Sequence, residues 1–270
     1  MNRLFSDLVL SGGTYNMSST KRDKAILRTF TEIIGDYTSG TLTVATDRLM
    51  AISGIIDTVQ RRIGWTNLAG LWEPSLWKQL LWEKGFDPLP ESHELTGLQP
   101  TWSWIAITGG VIWPGDEPSE GYFLNSIAHV KRIDNATPLH RNEGNTSDTI
   151  MALQVSCIPA RIGIQYSFEG KAHYRAELVD FPLSGRGFYE LDLLPMTRQP
   201  ELFLPIGAGC WNDESLVVSG LAVSSSTSCV GAFERVGFFT FDVHEKDENS
   251  IDHNYSILHE LSMRENIILV

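Results

Sequence analysis

The chain carries 33 acidic residues and seven histidines, the side-chain types that acid–base and metal chemistry use. Paired carboxylates can cleave a glycosidic bond, with their separation setting the outcome, but nothing in the spacing ties two acids to one cleft. The histidines never stand as H-E-x-x-H or in another ligand spacing. His253 and His259 lie six apart beside acids, a pattern that a solvated tail explains better than a metal site. Nucleotide chemistry has no foothold either. There is no G-x-x-x-x-G-K-[ST], and Gly207-Ala-Gly209 stops short of G-x-G-x-x-G and stands beside Pro205 rather than opening a helix. No G-x-S-x-G nucleophile elbow occurs. Cys157, Cys210 and Cys229 are far apart and odd in number, which speaks against a disulfide framework or structural zinc and for a reducing compartment. These patterns assign no catalytic residue, no metal ligand and no cofactor.

Aromatic rings are the other chemical resource. Five of the eight tryptophans lie between Trp72 and Trp104. Each buried Trp or Phe removes roughly 150–250 Å² from water, so this stretch is expected to seed the main core. Trp102-Ser103-Trp104 invites a sugar-stacking reading. The competing reading, which the alternation favours, puts both rings on the inward face of a strand.

The elements that must position these residues begin with helices. Thr20-Lys-Arg-Asp23 matches a capping box. Ile26, Phe30, Ile33, Ile34 and Tyr37 then form one helical face, ended by Thr38-Ser-Gly40. A second helix follows Thr46 as N-cap, with Asp47 at its positive end and Leu49, Ile52, Ile56, Val59 and Ile63 on its buried face. Ser53-Gly54 interrupts it. Gly there costs about 1 kcal/mol relative to Ala, so either another backbone approaches closely or the weakness is tolerated. A third helix is expected from Pro74 through Trp82, with Trp72, Leu76 and Leu80 as one ridge and Gly85 as the stop.

From Thr101 the period becomes strand-like. Ile162–Phe168, Ala172–Leu178, Tyr189–Leu193, Leu216–Val218, Leu221–Val223, Val236–Phe241 and Asn266–Val270 read as strands separated by turn residues. Residues 134–149 and 242–252 read as polar loops. The fold class is therefore α+β: about three N-terminal helices, then a mainly antiparallel β part of sandwich or barrel-like form. The division is expected at 1–100, helical, and 101–270, β-rich and packed on it, with one continuous domain as the alternative. The formal net charge of −12 argues against nucleic acid and anionic membranes as partners. No apolar run approaches a membrane span, and the N-terminus lacks a signal-peptide core. A cytoplasmic protein is expected.

Four stretches carry a resemblance. Phe30-x-x-Ile-Ile-x-x-Tyr-Thr-x-x-x-Leu-Thr43, Asp47-Arg48-Leu-x-Ala-Ile-Ser53-Gly54, Leu68-Ala-Gly70-Leu-Trp72 with Leu80-Leu-Trp82, and Pro100-Thr-Trp102-Ser103-Trp104 stand in this order. They resemble consecutive motifs of fungal heterokaryon-incompatibility (HET-domain) proteins, over roughly residues 25–112. Glu234-Arg-Val-Gly-Phe-Phe239 and the closing Ile-Ile-Leu-Val270 are similar to the tails of those proteins. Phe30 stands where Trp is usual, and Ile105-Ala-Ile107 replaces the family's smaller residues. The family's core motifs, a Tyr-x-x-Leu-Ser-Tyr-x-Trp-Gly and a later Cys/Asp-Ile-Asn-Gln, are absent, so the resemblance is to the region downstream of that core. It implies non-self recognition with programmed cell death as output, a non-catalytic structural or regulatory module, and another protein or a HET core as partner. Its signature residues are Asp47, Arg48, Ser53, Gly54, Gly70, Trp72, Trp82, Trp102, Ser103 and Trp104, in a structural role. Two other readings stand beside it. The aromatic content suggests a carbohydrate- or ligand-binding β module, and size and acid count alone suggest a hydrolase with acidic catalytic residues.

Overall fold

The computed structural model describes residues 19–40, 48–85, 99–113, 122–133, 151–167, 173–179, 181–183, 185–192, 198–211, 215–243, 258 and 264–270. Asp47, the Thr46 cap, the expected loop at 134–149, residues 244–252 of the loop expected at 242–252, and His253 and His259 lie outside them, while Asp242 and Val243 are strand rather than loop. Among the described residues, three α-helices, two two-stranded sheets and a large, mostly antiparallel sheet make up the fold.

Helix α1 (Ser19–Ser39) buries Ile26, Leu27, Phe30 and Ile34, as its apolar period requires. Its end is tied down by Thr38, whose hydroxyl accepts from Val111 N at 3.0 Å. Helix α2 (Arg48–Ile63) buries Arg48, Ile52, Ile56 and Val59. The third helix is much shorter than expected. Glu73–Ser75 form a 3-10 turn, α3 covers only Leu76–Gln79, and Trp72 belongs to a strand. The reason is local. Strands β1 (Asn67–Leu68) and β2 (Leu71–Trp72) pair as a hairpin. The Trp72 N–H and C=O are then taken by the Gln79 side chain, at 3.1 and 2.9 Å.

Residues 101–108 are not a strand, contrary to the alternation. Trp104–Ala106 is a 3-10 turn, with Ser103 Oγ accepting from Ile105 N. Residues 102–107 are all buried, so apolar side chains are needed in every direction and a period of two carries no strand information there. Strand β3 (Glu83–Lys84) pairs with β4 (Val111–Ile112) beyond this turn.

The ten-stranded sheet comprises β5 (Tyr122–Ser126), β6 (His129–Ile133), β7 (Ala152–Cys157), β8 (Arg161–Ser167), β9 (His173–Val179), β10 (Gly185–Leu191), β11 (Leu202–Trp211), β12 (Ser215–Ser225), β13 (Phe233–Val243) and β14 (Glu265–Leu269). Its main order is β5-β11-β12-β13-β10-β9-β8, with β14 joining β13 to β7 and β6 pairing β7. Only the single β13–β14 pair, Phe233↔Leu269, is parallel. The barrel-like closure expected from the sequence does not occur: one isolated bridge, Ala160↔Phe203, connects the start of β8 to β11.

Apolar residues cover both faces of the central strands. Leu204, Ile206, Leu221, Val223 and Phe238 join the helices, the tryptophans and β7 and β14 in one cluster. Tyr189, Phe203, Ala208, Val218, Phe239 and Phe241 form a second cluster on the opposite face. The first runs from Ile26 to Leu269, so residues on both sides of position 100 share one core. Among the described residues no helix is long and apolar enough to cross a membrane.

Candidate functional site

Seven of the ten signature residues, Arg48, Gly70, Trp72, Trp82, Trp102, Ser103 and Trp104, meet in one buried hub, and its centre is the β1–β2 hairpin. The two-residue loop has Ala69 at φ 47° and Gly70 at φ 87°, the pair of positive values that a type I′ hairpin turn requires. Asn67 Oδ1 accepts from Gly70 N at 2.9 Å. Ala69 takes a left-handed conformation that costs an L-residue roughly 1–2 kcal/mol. Two hydrogen bonds from outside the hairpin hold the loop. Ser103 Oγ donates to Ala69 O, and Trp104 Nε1 donates to Gly70 O at 3.1 Å. The Leu68–Trp72 and Trp102–Trp104 motifs are thus two halves of one joint.

Gly70 has two reasons to be glycine. Besides its positive φ, a Cβ built on it would lie 2.8 Å from Trp104 Nε1. Gly70→Ala is expected to destabilise the protein by about 2–4 kcal/mol, from left-handed strain and overpacking together. Its Tm beside that of Gly54→Ala checks this. Gly54 sits exposed on α2, and a methyl group added there would meet nothing within 4 Å. Its replacement is expected to leave stability unchanged or slightly raised. No other backbone approaches Gly54 among the described residues. Ser53 is likewise exposed, and neither residue reaches the hub.

Around the hairpin, Trp82 Nε1 donates to Trp102 O at 3.0 Å. Trp72, Trp82, Trp102 and Trp104 are all fully buried, and Phe30 meets Trp72 edge-on at 5.2 Å between ring centroids. Arg48 enters from α2. Its guanidinium donates to Ile107 O and, at 2.7 Å, to Gly109 O, and lies 5.9 Å from the centre of the Trp104 ring. Burial pushes its pKa down, opposed by Tyr37. Tyr37 Oη also donates to Arg48 O at 3.1 Å, fastening the end of α1 to the start of α2.

The strongest polar element of the hub lies in the Glu234–Phe239 stretch that the resemblance includes, but Arg235 is not among its signature residues. Arg235, on β13, is 4% exposed. Its Nε donates to Asp192 Oδ2 at 2.8 Å and its Nη2 to Oδ1 at 3.2 Å. The same guanidinium donates to Leu80 O at 2.7 Å and Trp82 O at 2.6 Å, and stacks 3.3 Å from the Trp82 ring centroid. Burial lowers its pKa, and Asp192 opposes that. The Arg235 N–H donates to Thr101 Oγ1, which donates in turn to Val270 O. Sheet, tryptophan layer and β14 are thereby joined. The signals for Arg235 in the sequence were two charged residues, Glu234 and Arg235, inside the run Phe233–Phe239, and the resemblance of that stretch to the tails of HET proteins.

Glu83 stands beside this arginine. Burial holds its carboxyl above the usual glutamate range, and Arg235 pulls it back down. A carboxyl raised in the folded state supplies stability that is complete below the unfolded pKa and is lost as pH rises through the folded one. Glu83→Gln is therefore expected to flatten the pH dependence of stability in the weakly acidic range. Urea titrations of both proteins across pH 3–8 would show it.

The hub is a packed connection between the helices, the hairpin and the sheet. Its indole faces are turned inward, so a sugar has none of these four rings to stack on. Cys157 is buried and its thiol is pushed up to about 12 by burial, out of range for a nucleophile at neutral pH. Among the described residues no three His, Cys, Asp or Glu are grouped to hold a metal ion. No family model, curated protein or solved structure matches this chain.

Proposed function

We propose that this chain is a HET-type region lying downstream of the family's core, a non-catalytic structural or regulatory module of cytoplasmic non-self recognition and programmed cell death. The observation that supports the reading is the convergence of its signature. Arg48, Gly70, Trp72, Trp82, Trp102, Ser103 and Trp104 come from separate stretches, yet they share one packed and hydrogen-bonded hub. A signature of that kind marks a fold that must be held, with the output delivered through another protein, most directly a HET core. Co-expression in a fungal host tests this. The chain alone is expected neither to consume NAD nor to kill, and to co-purify with a co-expressed HET core. Killing or NAD consumption by the chain alone, or failure to associate with the core, overturns the reading.

A further inference from the structure

We draw no further inference here: the strongest candidate, the exposed face of α2 around Met50, Ser53 and Gly54, is a strip of small and apolar residues, and nothing in the structure shows what covers it.

Discussion

Replacing Arg235 by methionine is expected to destabilise the protein by about 3–5 kcal/mol, the usual cost of breaking a buried pair by removing one partner. The loss has identifiable parts. Asp192, 4% exposed, is left without the guanidinium that meets both its oxygens. Leu80 O and Trp82 O lose their donors, and a buried carbonyl left unsatisfied costs about 1–3 kcal/mol. Packing on the Trp82 ring is lost as well. Urea denaturation checks it, with the midpoint falling and the slope nearly unchanged. The double variant Asp192→Asn/Arg235→Met separates charge from shape. It is expected to recover part of the loss, because the orphaned carboxylate is gone while the two carbonyls remain unpaired. A single variant as stable as the wild type would mean that Arg235 does not join sheet to tryptophan layer.

Trp104→Ala is expected to cost a similar amount, about 3–5 kcal/mol. Trp104 fills the space above Gly70, donates to Gly70 O and lies near the Arg48 guanidinium. Its truncation therefore loosens the hairpin, the 3-10 turn and the start of α2 together. Trp104→Phe keeps much of the ring and removes the indole donor, and is expected to cost about 1–3 kcal/mol. Because Gly70 exists partly to make room for this indole, Trp104→Ala should soften the penalty of Gly70→Ala. A double-mutant cycle measures that coupling, since residues in contact deviate from additivity by about 0.5–3 kcal/mol. Additive losses would dissociate the two motifs.

Much of this architecture can be read from local pattern. Helices α1 and α2 announce themselves because each buries one stripe, and Ile26, Phe30 and Ile34 or Ile52, Ile56 and Val59 recur at helical spacing. Strands β8, β9, β13 and β14 also fall where alternation and turn residues place them. The rest is hidden for physical reasons. Strand β11 contains Pro205, Gly207 and Gly209, which locally mean turn. The register shift between Pro205 and Gly207 accommodates them, and only the neighbouring strands supply that context. The stretch from Trp72 to Trp82 has helical spacing because it is buried, not because it is one helix. Trp102 and Trp104 alternate for the same reason. The two-residue Ala69-Gly70 turn escapes notice because Ala is an uncommon occupant of a positive-φ site, tolerated here because Ser103 and Trp104 hold both turn carbonyls. The Arg235–Asp192 pair joins residues 43 apart in sequence, beyond any local periodicity.

In the site itself, the tryptophans, Gly70 and Ser103 that the resemblance names come together in the hub, for reasons the resemblance did not give. Ser103 and Trp104 are needed because a strained hairpin presents two carbonyls to them. Ser53 and Gly54, named by the same resemblance, remain on the exposed side of α2 with no place in the hub.

Native-state exchange of the indole N–H protons, followed by NMR, tests most directly that the signature residues form a structural joint. Trp82 Nε1 and Trp104 Nε1 donate to Trp102 O and Gly70 O from fully buried rings. Both protons should exchange only through global unfolding, with opening free energies equal to that from urea denaturation. Exchange of either proton through a local opening far below the global value would contradict the account, because a joint that opens on its own does not hold the fold together.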